Sequence, residues 1–177
     1  MAKMRGRQPV RVQYYDSPCG KMVLASVGEA WCLCDGNGMP CACRNKRRLA
    51  RRLNAEFLVE TSAVLEPAKK QLEDYFAYRR KAFDIPLRLV GTDFQQQVWE
   101  ALLGIPYGET VSYKDIALRV GNPKGVRAVA QAVGANGIAI FIPCHRVVGS
   151  NHSLTGFAGG LEAKRMLLEI ENKTKIL

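Results

Sequence analysis

No run of eighteen apolar residues occurs anywhere in the 177-residue chain, which excludes a membrane-spanning helix. The N-terminus (Met1-Ala2-Lys3-Met4-Arg5-Gly6-Arg7) is basic, but no apolar h-region follows it, so it does not read as a secretory signal. Internal repeats and low-complexity segments are lacking, and so are both phosphate-cradling glycine motifs, G-x-x-x-x-G-K-S/T and G-x-G-x-x-G. Acidic residues are scarce: 16 Asp and Glu stand against 26 Lys and Arg, a formal net charge of +10. That balance favours a polyanionic partner, nucleic acid ahead of an anionic membrane surface. The C-x2-C zinc knuckle is missing too, although the chain has six cysteines. Without export these read as reduced thiols, in the cytoplasm or, in a eukaryote, the nucleus. What is present is a 47% hydrophobic composition, enough to bury a core as one domain or two small ones.

The pattern predicts an α+β protein. A small N-terminal mixed domain, an antiparallel sheet plus helices over 1–88, is followed by a mostly helical domain over 89–177. Val10 to Tyr15 and Lys21 to Val27 read as a hairpin around Ser17-Pro18-Cys19-Gly20. Trp31-Cys32-Leu33-Cys34 and Cys41-Ala42-Cys43 flank a turn-rich 35–40, and in extended chain each C-x-C pair shares one face. Four thiols across such a hairpin could make a tetrahedral zinc site. The spacing is not that of a knuckle, however, and the preferred reading is cysteines packed as small apolar residues under a sheet. Leu49, Leu53 and Phe57 predict a helix over 44–57 whose other face carries Arg47, Arg48, Arg51 and Arg52, read as a solvated face ahead of a nucleic-acid contact. Pro67 opens another helix running to about Arg79. The stretch 82–90, with Pro86 inside it, reads as an extended linker.

In the second half, Thr92 caps a helix containing Phe94, Val98, Trp99 and Leu102. Ser112 and Asp115 form a capping box for a short helix ending at Gly121. Asn122 as N-cap and Pro123 at the first position start the next, with Val126, Val129, Ala130 and Val133 as its buried stripe. Two short helices around a tight turn make a helix-turn-helix. The second presents Lys124, Arg127 and Gln131 among small residues, Ala128 and Ala132 included, which with the basic charge points to DNA.

Ile138 to Ile142 reads as a buried strand or a stiff segment crossing the core, and Pro143 ends any ladder. Cys144 and His145 then emerge at a bend. A free thiol titrates near pH 8.5, and His145 and Arg146 are the neighbours that could lower it. A glycine-punctuated loop follows (Gly149, Gly156, Gly159, Gly160), of the kind that walls a site. In the last helix, 161–172, Glu171 falls inside the apolar arc of Ala163, Met166, Leu167 and Ile170. A carboxylate there needs a partner, and His145 is the candidate.

Several stretches carry a resemblance: Phe94-Gln95-x-x-Val98-Trp99, Ile105 to Tyr113, Gly121-Asn122-Pro123, Arg127-Ala128-Val129, Asn136, Pro143-Cys144-His145-Arg146-Val147 and Leu154 to Leu161. In order and spacing, residues 92–172 resemble the O6-alkylguanine-DNA alkyltransferases (methylated-DNA–protein-cysteine methyltransferases). The N-terminal half resembles that family's variable, ribonuclease H-like domain in outline only. The resemblance implies DNA repair by direct reversal: irreversible, single-turnover transfer of an alkyl group from guanine O6, and from thymine O4, to a cysteine in flipped-out DNA. It implies Cys144 as nucleophile, His145 as base acting through a water, Glu171 as orienter, and Asn136 as the tie between the helix-turn-helix and the active-site segment. Tyr113 would hold the flipped base and Arg127, beside Ala128, would fill the gap in the duplex. Backbone at Cys144 and Val147 would read the guanine amino group. Gly156, Phe157, Ala158 and Gly159 would wall the pocket, with Lys164 also among the substrate or DNA contacts. Transfer would need no cofactor, and the implied partner is double-stranded DNA, bound by a monomer through the minor groove. Ala158 stands where some relatives have serine, and His152 is read as solvent-exposed. The other function class is a binding-only helix-turn-helix protein whose cysteine is structural or a sensor.

Overall fold

The computed structural model describes residues 6–36 and 40–173. Three strands form a meander, β1 (Gln8–Ser17), β2 (Gly20–Val27) and β3 (Ala30–Gly36), turned at Gly20 and Gly28. Both glycines have positive φ, +103° and +57°, which a side chain would resist. A helix, α1 (Pro40–Leu53), then leads to β4 (Ala55–Val59), which pairs parallel with β1 in the order β3-β2-β1-β4. The sheet is therefore mixed, not purely antiparallel. The helix expected to run through Phe57 ends at Leu53, and Phe57 lies on β4 opposite Val10. The i, i+4, i+8 spacing of Leu49, Leu53 and Phe57 arose because a helix and the next strand bury apolar residues against the same sheet face.

Alternation along the strands sorts two cores. Val10, Val12, Val23, Ala25 and Leu33 pack toward Leu49 of α1, while Met22, Leu24 and Cys34 face the rest of the molecule. A bulge opposite Ala25 and Ser26 adds Cys32 to β3, so Cys32 and Cys34 point to opposite faces rather than sharing one. Both are buried and Cys43 is exposed on α1. The turn expected over 35–40 falls in part on residues 37–39, which lie outside the described residues, as does the side chain of Cys41. Among the described residues no group of three or more His, Cys, Asp or Glu is placed to hold a metal.

Helix α2 (Leu65–Phe76) starts two residues before Pro67. The stretch at 82–90 is no loose linker: Trp31 N donates to Pro86 O and Arg88 N to Trp31 O, both at 2.8 Å. Further along the same edge of β3, Cys34 N donates to Gly137 O and Ala139 N to Cys34 O, again at 2.8 Å. An edge that would otherwise expose unpaired backbone is thus closed by two later segments. One apolar cluster runs from Met22 and Trp31 through Trp99 and Val129 to Leu167 and Ile170.

In the second half α3 (Asp93–Leu103) and α4 (Tyr113–Arg119) both begin with full capping boxes, Thr92 with Gln95 and Ser112 with Asp115. Helix α5 spans Val126–Gly134, three residues later than the Asn122-Pro123 signal predicts. Asn122 instead closes a turn, its carbonyl accepting from Gly125 N at 2.9 Å. The face of α5 turned inward holds Val129, Ala132 and Val133, while Val126 and Ala130 are only half-buried. Two-residue strands β5 (Val111–Ser112) and β6 (Val147–Val148) pair parallel, and α6 (Leu161–Lys173) closes the chain. No helix of the described residues is long and apolar enough to cross a membrane.

Candidate active site

Residues 138–142 form no regular strand. They cross the core with single bridges from Ile138 to Cys34 and from Ala139 to Ile142. Ile140 takes φ +73°, a conformation that costs a β-branched residue and persists only where packing over-determines it. After Pro143 the chain makes one 3-10 turn, Cys144–Arg146, which aims three consecutive side chains in different directions. Asn136 clasps this segment from the end of α5. Its Oδ1 accepts from Ile138 N at 2.9 Å, and its Nδ2 donates to Ile142 O at 3.0 Å and to Cys144 Sγ at 3.1 Å.

His145, Arg146 and Glu171 form a buried cluster beneath the thiol. Glu171 Oε1 accepts from His145 Nε2 at 2.7 Å, from Tyr75 Oη at 2.9 Å and from Arg146 Nη2 at 3.0 Å. Its Oε2 accepts from Arg146 Nε and from Gly108 N, each at 2.9 Å. The remaining Arg146 fork donates to Ile105 O at 2.6 Å. Burial pushes the Glu171 carboxyl up, but the bonds and charges of His145 and Arg146 together reverse this and hold it at about 2. Burial dominates for His145 and lowers its pKa, so the imidazole is neutral at pH 7. An ionised Glu171 can only accept, so Nε2 carries the ring proton and Nδ1 keeps its lone pair. Nδ1 has no hydrogen-bond partner among the described residues.

Cys144 is 5% exposed and lines a cavity of about 200 Å³ with Asn136, Ile140 and the loop residues Phe157, Ala158 and Gly159. Burial raises its pKa to about 11, outweighing the Asn136 bond and the Lys164 charge that act to lower it. The acidified thiol expected beside His145 and Arg146 is therefore not the resting state. Arg146 is committed to Glu171 and His145 is neutral, so neither supplies a free positive charge. The arrangement is a protected thiol, a neutral imidazole held in one tautomer and a permanent carboxylate. It can deprotonate a nucleophile during a reaction rather than before it.

A second depression, of about 1010 Å³, lies on the other side of the wall loop. Tyr113, Arg127 and Gln131 line it, and Phe157 and Ala158 border both spaces. The Tyr113 hydroxyl donates to the Thr155 and Gly156 carbonyls, at 3.1 and 3.2 Å, and so pins the wall. Gly156 has φ +53°, and a Cβ there would sit 3.2 Å from Tyr113 Oη. Gly156→Ala is expected to cost about 1–2 kcal/mol in a thermal melt and to loosen the wall, because both the conformation and the space favour glycine.

Residues 93–173 match the family model described as 6-O-methylguanine DNA methyltransferase, DNA binding domain. The methylated-DNA–protein-cysteine methyltransferase of Haemophilus influenzae is 43% identical over 159 residues, which cover 89% of this chain and 84% of that protein. The chain belongs to this family. The Methanosarcina barkeri methyltransferase is likewise 43% identical, over 89% of this chain and 96% of its own length. The constitutive Bacillus subtilis methyltransferase is 58% identical over 108 residues, which span 66% of that protein, just under two thirds. Mycobacterium tuberculosis OGT, in its crystal structure in complex with DNA, is 41% identical with a TM-score of 0.78, covering 94% of each chain.

Within this methyltransferase-family chain, Cys144, His145, Glu171 and Asn136 come together as expected, whereas the other sequence-derived residues divide. Arg127 and Ala128 are exposed on α5, and Gly156, Phe157, Ala158 and Gly159 form the wall. Val147 is buried, and its carbonyl accepts from Lys164 Nζ at 2.5 Å. Lys164 itself is fully buried and also donates to Thr155 O at 2.7 Å. It reaches no outer surface; it ties the wall loop to the Cys-His segment, and burial lowers its pKa to about 8. His152 is exposed with φ +61°. Sequence reasoning missed Tyr75, which comes from α2 in the N-terminal half and looks like an ordinary core aromatic on its helix. It offered Arg146 only as a charge that could acidify the thiol and did not foresee its pairing with Glu171.

Proposed function

We propose that the protein repairs alkylated DNA by direct reversal, moving the alkyl group from O6 of guanine, and from O4 of thymine, onto Cys144. The observation that carries this reading is the Cys144 thiol at a cavity wall, bonded to Asn136 and adjacent in sequence to an imidazole locked by Glu171. Displacing an alkyl group from an aryl oxygen needs a polarisable nucleophile and a way to neutralise the leaving oxyanion. His145 Nδ1 takes the thiol proton through a water. Sulfur forms the new S–C bond as the C–O bond breaks, and Tyr113 donates its proton toward the ring of the departing nucleobase. The proton held by His145 replaces it, so that one proton has passed from sulfur to the released nucleobase. Glu171 keeps the imidazole in the tautomer that can act as base, and Asn136 orients the sulfur.

The reacting atom lies inside the base stack, so the nucleotide leaves the duplex first, and a damaged pair is cheaper to unstack. The exposed face of α5, the second helix of a helix-turn-helix, enters the minor groove with Arg127 filling the space left behind. The protein works as a monomer, without cofactor, in the compartment that holds the genome: cytoplasm, or nucleus in a eukaryote. Because the product is a stable thioether, each molecule acts once. Incubation with duplex carrying a radiolabelled O6-methyl group tests this. One label per protein is expected, mapped to S-methylcysteine at residue 144, with no further transfer from excess DNA. Repeated turnover, or label on another residue, would refute the reading.

A further inference from the structure

Helix α1 carries Arg44, Arg47, Arg48, Arg51 and Arg52, spaced i, i+3, i+4, i+7 and i+8, so all five fall on one stripe. Like charges at these spacings repel along a helix. Among the described residues none of the five forms an ion pair. Arg44, Arg47, Arg51 and Arg52 are exposed. Arg51 and Arg52 complement the helix C-terminus, but Arg44, Arg47 and Arg48 stand too far from it for that. Arg48 is half-buried, 5.1 Å over the Trp99 ring, and its Nε has no partner among the described residues. Burial and then the Arg52 charge lower its pKa. The nearest acidic influence on it, Asp35, is held by Asn45 Nδ2 at 2.5 Å and by Gly36 N at 2.9 Å.

The position of the stripe gives this unneutralised charge a direction. Arg44 and Arg48 line the same groove as Tyr113, Arg127 and Gln131, and all five arginines bound the depression that continues from it. One groove therefore joins Arg127 of α5 to Arg44 and Arg48 of the N-terminal helix. The eight helical steps from Arg44 to Arg52 cover about 12 Å, the rise of three to four phosphates along one strand.

We infer that the arginine stripe of α1 is a second DNA contact, gripping the phosphate backbone beside the groove that receives the damaged nucleotide. This rests on the DNA-repair reading above and assigns the N-terminal half a share of the binding. Contacts of this kind are sequence-independent and release counterions, so they are read in the salt dependence of affinity.

The test is the triple variant Arg47→Ala/Arg51→Ala/Arg52→Ala, measured for duplex affinity across a salt series and for methyl transfer from both duplex and free O6-methylguanine base. Each lost phosphate contact removes about 0.9 from the slope of log K against log salt, so a fall of about 2–3 is expected. Duplex affinity near 0.1 M salt should drop on the order of tenfold to a hundredfold. Transfer from the free base should be unchanged, and the corresponding triple Lys variant should keep most of the affinity. A variant that binds duplex with the parent slope would overturn the inference and leave the stripe a solvated face. An equal loss of transfer from the free base would overturn it as well, since α1 would then be acting through the fold. Failure of the unmodified protein to bind duplex would instead bring down the repair reading and the inference with it.

Discussion

Cys144→Ser is expected to abolish alkyl transfer while leaving DNA binding and the fold intact. Serine keeps a hydroxyl within reach of Asn136 Nδ2, which lies 3.1 Å from the sulfur, so the clasp of the 138–144 segment survives. What is lost is the nucleophile. The thiol already sits at about 11, raised first by burial, and needs His145 to take its proton during attack. An alcohol is far harder to deprotonate and much less polarisable toward a saturated carbon. The rate should fall to background, on the order of 10⁶-fold, the scale of removing the nucleophile from a hydroxyl–histidine–carboxylate site. Single-turnover transfer and duplex binding measured on the same preparation check it. Residual transfer within a factor of ten of the parent would show that another residue accepts the alkyl group.

Glu171→Ala is expected to damage both stability and chemistry. The carboxylate is fully buried and accepts from His145, Arg146, Tyr75 and Gly108. Its removal leaves the Arg146 guanidinium buried without its counter-charge, a loss of about 3–5 kcal/mol in denaturant unfolding. Glu171→Gln keeps the shape and separates the two effects. It should cost less stability, but the amide no longer holds His145 as a charge does, so transfer slows even in folded protein. The same group sets an acid limit. Its folded pKa of about 2 lies below the ordinary value of 4.5, so its stabilisation is complete above about pH 4.5 and is lost as pH falls toward 2. The shift corresponds to roughly 3 kcal/mol. Acid unfolding of the Gln variant should lack this component, and an unchanged acid transition would place the charge elsewhere.

Local chemistry was readable directly from the chain. The Thr92 cap and the Ser112–Asp115 capping box follow from side-chain oxygens placed just ahead of an apolar-periodic run, and both are formed, Thr92 gaining Gln95 as its box partner. Glu171 was recognisable as a buried acid because helical periodicity alone puts it in an apolar arc, and His145 was the partner its burial demanded. The errors fall where two elements share one core face. Phe57 continued the spacing of Leu49 and Leu53 but belongs to β4, and the bulge at Cys32 reversed the face of one cysteine. Periodicity reports which residues are buried, not where one element stops and the next begins.

Residue type, spacing and capping were sufficient to identify the Cys-His turn, the buried carboxylate and the family they resemble. Tertiary structure alone decided that Tyr75 and the edge of β3, both from the N-terminal half, brace the site. It also decided that Arg146 answers Glu171, that Lys164 holds the wall from inside, and that the thiol rests protonated. These depend on burial and on contacts between segments far apart in the chain, such as the 96 positions between Tyr75 and Glu171, and no local pattern encodes the distance that desolvation and pairing require.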